Sequence, residues 1–234
     1  MGLFVVFADG PLGVRGVRKW LSYSVGVAPK GTAHIGALKV IEEAGIPIDY
    51  VVGTSMGAIV GGLYSIGYTP QQLDSMVNAQ NWKFLLSDAP NPKDVLLDDR
   101  LKSERYVLSI PFSLKSAAVS DAGIIKGKNL ARLFSTLTEG YQDSVDFSRL
   151  PIPFACVSEN LVNGSEVVFR EGILATAMRS SMSIPGVFAP VDLDGMVLVD
   201  GGMVNNYPVD VALAWGPTTL SGWMCRVRCL RLPS

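Results

Sequence analysis

Tyr50-Val51-Val52-Gly53-Thr54-Ser55-Met56-Gly57-Ala58-Ile59-Val60-Gly61-Gly62-Leu63-Tyr64 decides the fold. A short apolar run leads into a serine flanked by glycines and then into a longer apolar stretch rich in small residues. The first part reads as a buried strand, the last as a buried helix, and Gly53-x-Ser55-x-Gly57 as the sharp turn that joins them. The glycines let the backbone reverse without a Cβ clash, and a helix that starts just after Ser55 leaves unpaired N–H groups beside its hydroxyl. Such a turn, built by Gly53, Met56 and Gly57, is how a fold presents a serine nucleophile. Tyr50 through Leu73 carries no charge and is long enough to suggest a membrane span. Gly53, Gly57, Gly61 and Gly62 interrupt it, so a strand followed by a helix packed close to a sheet is the better reading.

Outward from this elbow, the apolar periodicity of 33–44 predicts a helix that Gly45 ends. Thr69, Pro70 and Gln72 form the opening of another, with Gln72 at the capping-box position. Residues 128–137 and 172–181 read as further helices, and 3–7, 105–110 and 153–157 as strands. Asn163-Gly164 and Asp194-Gly195 read as hairpin turns, the second joining Val191–Leu193 to Met196–Val199. The polar, proline-interrupted stretch 78–102 is expected to cover part of the site. Strands alternating with helices predict an α/β fold with a mostly parallel central sheet between helical layers. At 234 residues and 48% hydrophobic, the chain is expected to form a single domain over 1–234.

The general base is constrained by what is missing. An α/β-hydrolase triad needs a histidine after its serine, and none follows Ser55. The single histidine, His34, lies in the first predicted helix and reads as a packing residue, with a His34-assisted esterase or peptidase as the alternative. Asp200 follows the apolar run Met196-Val197-Leu198-Val199 and precedes Gly201-Gly202. A carboxylate at the end of a buried strand is costly without partners, so Asp200 is the best candidate to take the Ser55 proton. Asp192 and Asp194 are better explained by the hairpin turn. Twenty basic against twenty-one acidic residues offer no polycationic surface for nucleic acid. The three cysteines form no disulfide framework. Cys225 and Cys229 have no nearby third ligand, so no metal site is expected.

Four ordered motifs carry a resemblance. They are Lys30-Gly31-Thr32-Ala33-His34-Ile35-Gly36, the elbow at Gly53–Gly57, Ser181-Met182-Ser183-Ile184-Pro185-Gly186-Val187-Phe188, and Asp200-Gly201-Gly202 with Asn205-Asn206-Tyr207-Pro208-Val209-Asp210. Over residues 30–215 the chain resembles the bacterial patatin-like phospholipases. The resemblance implies a three-layer α/β/α sandwich and hydrolysis of carboxylic esters of lipids through a Ser55–Asp200 dyad and an acyl-enzyme. Gly201 and Gly202 would support the acid loop. It implies no cofactor, a lipid or other acyl-ester substrate, and peripheral contact with a membrane or a cytoplasmic location in a bacterium.

Two regions depart from the family. Its oxyanion loop reads Gly-Gly-Gly-x-Lys/Arg-Gly, whereas this chain has Gly26-Val27-Ala28-Pro29-Lys30-Gly31, and Pro29 has no N–H to donate. A catalytically impaired lipid-binding or interaction domain is therefore the second expectation. Residues 1–29 and 217–234 are atypical, and where the family continues into a buried strand the chain has Pro217-Thr218-Thr219-Leu220-Ser221-Gly222-Trp223-Met224. Codons GGG-CCG-ACT-ACA-TTA-TCG-GGG-TGG-ATG would encode Gly216–Met224, and in another frame the same bases read Ala-Asp-Tyr-Ile-Ile-Gly-Val-Asp. GGG-GTG-GCG-CCA-AAG, for Gly26–Lys30, likewise holds Gly-Gly-Ala-Lys. Both ends are therefore expected to be frameshifted from an ancestral reading frame, which sequencing of the coding DNA checks.

Overall fold

A computed structural model of the chain describes residues 2–7, 31–90, 125–214 and 219–224. In chain order these form β1 (Gly2–Phe7), α1 (Gly31–Glu43), β2 (Tyr50–Thr54), α2 (Met56–Ser65), α3 (Pro70–Ala79) and α4 (Trp82–Leu85). After the undescribed stretch come α5 (Lys128–Leu137), β3 (Val145–Asp146), β4 (Phe154–Asn160), β5 (Ser165–Phe169), β6 (Glu171–Gly172) and α6 (Leu174–Ser181). β7 (Val191–Leu193), β8 (Met196–Asp200), α7 (Val209–Leu213) and β9 (Thr219–Met224) complete them.

Local chemistry accounts for most of these boundaries. Gly45 takes a positive φ of 65° just beyond α1, where a left-handed residue closes the helix. The Thr69 side chain accepts from the Gln72 N–H while the Gln72 side chain accepts from the Thr69 N–H, a complete capping box at the start of α3. Asp194 and Gly195 both have positive φ, 50° and 76°, the pair of left-handed residues that a two-residue hairpin turn requires.

The strand alternation of β2 and β4 divides the core into two faces. Val51, Phe154 and Cys156 point into a large cluster with Leu38 of α1, Leu63 of α2, Phe134 of α5 and Met178 of α6. Val52, Ala155 and Val157 point the other way, where Val211 and Ala212 of α7 cover them. Helices thus lie on both faces of the sheet. α2 approaches closely because its residues are small: a Cβ on Gly62 would lie 2.7 Å from the Met178 sulfur. α2 has only ten residues, and no helix among the described residues is long and apolar enough to cross a membrane.

The seven-stranded sheet is mixed, which corrects the expectation of a mostly parallel one. β2 and β4 are parallel, because the chain between them crosses through helices. Hairpins join β4 to β5 and β7 to β8, β8 also pairs antiparallel with β4, and β1 runs antiparallel to β2. The tail also differs from expectation. Thr219–Met224 is a strand, paired antiparallel along the whole of β1. Ladder pairing at a sheet edge uses backbone N–H and C=O groups and tolerates Ser221 and Gly222, whose composition had argued against a core strand. The expected strand at 105–110 and the loop residues Gly26, Val27, Ala28 and Lys30 lie outside the described residues, as does most of 78–102 beyond α4.

Candidate active site

Two strand ends meet on one edge of β4. β5 occupies the other edge, facing Cys156 through Asn160. β2 therefore shares its edge with β8: Thr54 faces Val157, and Asp200 faces Ser158 on the very next residue. β2 runs parallel to β4 and β8 antiparallel, so they approach each other head to head. The residue after Thr54 is Ser55. Its Oγ donates a 2.5 Å hydrogen bond to Asp200 Oδ2, between groups that are 0% and 6% exposed.

Ser55 adopts φ 60° and ψ −121°, a conformation that costs a non-glycine residue about 1–3 kcal/mol. The flanking glycine is required, since a Cβ on Gly53 would lie 2.3 Å from the Gly57 carbonyl oxygen. α2 begins at Met56, so the N–H groups of Met56 and Gly57 have no carbonyl within the helix to receive them. Ser55 N–H itself donates to Ser181 Oγ at 2.9 Å.

Asp200 is held from both sides. Its Oδ1 accepts from Gly202 N–H at 2.7 Å, and its own N–H donates to the Ser183 carbonyl at 3.0 Å. Burial raises the Asp200 carboxyl above the usual carboxylate range, against the opposing pull of the hydrogen bonds from Ser55 and Gly202. Gly201 has a steric reason to be glycine: a Cβ there would lie 2.4 Å from the Val157 carbonyl oxygen, on a strand paired along both edges. Gly201→Ala should therefore cost about 2–4 kcal/mol in urea denaturation. Gly36→Ala, at a helical site with nothing within 4 Å of the new methyl, should be neutral or stabilising by up to about 1 kcal/mol.

Among the described residues no hydrogen bond joins His34 to Ser55 or Asp200. The Ser55 hydroxyl proton is directed at Asp200, and His34 is 2% exposed with no hydrogen-bond partner at Nε2. Burial lowers its pKa to about 4 from an ordinary 6.5. The neutral imidazole is the folded form, so protonation favours the unfolded chain. Its contribution to stability is complete above pH 6.5 and is lost as the pH falls toward about 4, a change of about 3 kcal/mol. His34→Leu should narrow the stability gap between pH 7 and pH 4 by about that amount, which chemical denaturation at the two pH values measures.

The patatin-like phospholipase family model matches residues 26–213, which contain both Ser55 and Asp200. The chain belongs to the patatin-like phospholipase family. Among its relatives, an uncharacterized NTE family protein of Mycobacterium tuberculosis is 31% identical over 180 residues, 77% of this chain and 41% of that protein. Human patatin-like phospholipase domain-containing protein 6 is 28% identical over 197 residues, 83% of this chain and 12% of that protein. The chain thus spans about two fifths of the length of the first relative and a smaller part of the second. Among solved structures, VipD from Legionella pneumophila is similar with a TM-score of 0.47 and 16% identity, over 75% of this chain and 44% of that one.

Other residues of the family region surround these elements. Asn205 ties the acid loop to its surroundings, accepting from Thr54 Oγ1 at its carbonyl and donating from its amide to Glu166 and Asp210. Ser158, opposite Asp200 in register, has a buried hydroxyl without a hydrogen-bond partner. Gly31, the last residue of the expected oxyanion loop, is the first residue of α1. Cys156 is buried and in no disulfide, and burial raises its thiol pKa. Among the described residues no group of three histidine, cysteine or acidic side chains could hold a metal ion.

Proposed function

We propose that the chain is a serine acyl hydrolase that cleaves carboxylic esters of lipids, with Ser55 as nucleophile and Asp200 as general base. The observation that carries this reading is the buried 2.5 Å hydrogen bond from Ser55 Oγ to Asp200 Oδ2 at the start of α2. In this mechanism Ser55 Oγ attacks the acyl carbonyl carbon as its proton passes to Asp200. Asp200 then gives that proton to the departing alcohol, leaving an acyl ester on Ser55. Water, deprotonated by Asp200, releases the acid and restores the serine. The developing oxyanion would be met by the Met56 N–H, with further donors from the backbone of Gly26, Val27, Ala28, Lys30 and Gly31.

The acyl portion has a matching environment. An almost wholly apolar groove runs between α2, α3 and α5, lined among others by Met56, Ile59, Leu63, Leu73, Leu133 and Met182. Met56, the residue after the nucleophile, is one of the residues that line it. Val187, Met203 and Val204, on the segments that follow Ser183 and Asp200, are 42%, 70% and 42% exposed, apolar surface that a lipid would contact favourably. The family name of the relatives agrees with a lipid ester as substrate.

A second reading, an impaired lipid-binding domain, is favoured by Pro29, which removes one loop donor; such a loss typically costs about 3 kcal/mol of transition-state stabilisation. A fluorophosphonate probe followed by intact-mass and peptide mass spectrometry decides between them. One phosphonyl adduct on Ser55 is the expected result. A folded chain that remains unlabelled would favour the impaired domain, and an adduct elsewhere would remove Ser55 as the nucleophile.

A further inference from the structure

The end of α6 places three buried serines side by side, and they are used differently. Ser180 Oγ donates back to the Thr176 carbonyl at 2.9 Å, and Ser183 Oγ to the Arg179 carbonyl at 2.9 Å, so both hydroxyls serve their own turn. Ser181 points out of the helix. Its Oγ lies 2.6 Å from the Val157 carbonyl and 2.9 Å from the Ser55 amide nitrogen. A carbonyl only accepts and an amide only donates, so the assignment is unique: the one hydroxyl proton goes to Val157 and the oxygen lone pair receives Ser55 N–H. Val157 is the β4 residue facing Thr54, next to the one facing Asp200. Ser181 therefore links the elbow to the point where the two strand ends meet.

Two residues further on, the Ser183 carbonyl receives the Asp200 N–H at 3.0 Å. One short segment thus holds the backbone amides of both Ser55 and Asp200. The segment is itself anchored: Arg179, 6% exposed, donates from Nη1 to Ser183 Oγ at 2.5 Å and from Nη2 to the carbonyls of Lys126 and Ala189. Its guanidinium also lies 5.1 Å over the Phe188 ring.

We propose that Ser181 is a positioning residue for the hydrolytic reaction, its hydroxyl pinning the strained Ser55 backbone against β4 so that Oγ stays aligned with Asp200. The inference rests on the Ser55–Asp200 reading above. Without the hydroxyl, the Ser55 N–H and the Val157 carbonyl both lose a buried partner, and the peptide plane that sets the direction of Oγ loses an anchor. Ser181 itself does not line the apolar groove, so the loss is expected in turnover and not in binding.

Ser181→Ala and Ser181→Thr are compared in the full chain by steady-state hydrolysis of a water-soluble aryl ester and by exchange of the Ser55 backbone amide in NMR. S181A should lower kcat about ten- to a hundredfold with KM within about twofold, and S181T should stay within about threefold of the parent. Ser55 amide exchange should quicken at least about tenfold in S181A and recover in S181T, while the amides of Val51 and Val52 keep their rates. Unchanged Ser55 exchange in S181A overturns the proposal whether or not the chain turns over. So do a parental kcat in S181A, equal losses in S181A and S181T, or a KM that rises in step. Should S181A fail to fold, Ser181→Cys, of similar shape and with a weak acceptor, carries the same two readouts. Parental activity in Ser55→Ala would remove the dyad reading and with it the catalytic consequence, while the amide exchange reports separately whether Ser181 holds Ser55.

Discussion

Ser55→Ala should reduce ester hydrolysis by about 10⁴-fold or more and abolish labelling by a fluorophosphonate, while the unfolding midpoint stays near that of the parent. Alanine removes one oxygen and its hydrogen bond to Asp200 and keeps the backbone of the elbow, whose shape depends on Gly53. The small stability effect has two opposing parts. Asp200 loses a donor, which costs about 1 kcal/mol, and the buried carboxyl can take up a proton more readily in response. Purified S55A compared with the parent by single-turnover hydrolysis and urea denaturation gives both quantities. Parental turnover in a folded S55A would place the nucleophile elsewhere.

The next largest effect is expected at the base. Asp200→Asn keeps the size of the side chain and a carbonyl oxygen able to accept from Gly202 N–H, but it cannot take the Ser55 proton. A loss of about 10²–10⁴-fold in kcat follows from removal of a general base. The pH dependence separates this from a packing defect. Burial raises the Asp200 pKa, and only the carboxylate acts as base, so the parent's kcat/KM should fall on the acid side at a pH above the ordinary carboxylate value of 3.8. As the pH drops through that raised value, activity is lost; as it rises, activity is gained. D200N should have no such limb. An acid limb of unchanged position in D200N would assign it to another group, whereas His34→Ala should leave the limb in place, since His34 is outside the dyad.

The local features of the fold were legible because their causes lie within a few residues. The capping box of Thr69 and Gln72 needs partners three positions apart, and the hairpin at Asp194-Gly195 needs two adjacent residues that accept positive φ. The elbow is of the same kind: Gly53 must lack a Cβ because Gly57, four residues on, folds back over it. The direction of the strands was less legible. Alternating strand and helix patterns suggested a mostly parallel sheet, but strand direction depends on which edge each strand joins: a hairpin returns β5 against β4, and β8 reaches the other edge of β4 antiparallel from a distant part of the chain. The strand at Thr219–Met224 was missed for a related reason, because its partner, Gly2–Phe7, lies at the opposite end of the chain.

By itself the sequence determined the elbow serine, the lack of any histidine after it, and an aspartate at the end of an apolar strand, since residue type and short-range spacing suffice for these. Only the tertiary structure decided that Ser55 and Asp200 meet, and how they are held. Their meeting depends on β2 and β8 sharing one edge of β4 head to head, a consequence of pairing register across the sheet. The choice of Ser181 over its neighbours Ser180 and Ser183 depends on which hydroxyl faces outward from α6 toward a residue 126 positions away. Three serines within four residues look alike in sequence, and only packing of the helix on the sheet gives one of them a Ser55 amide to accept.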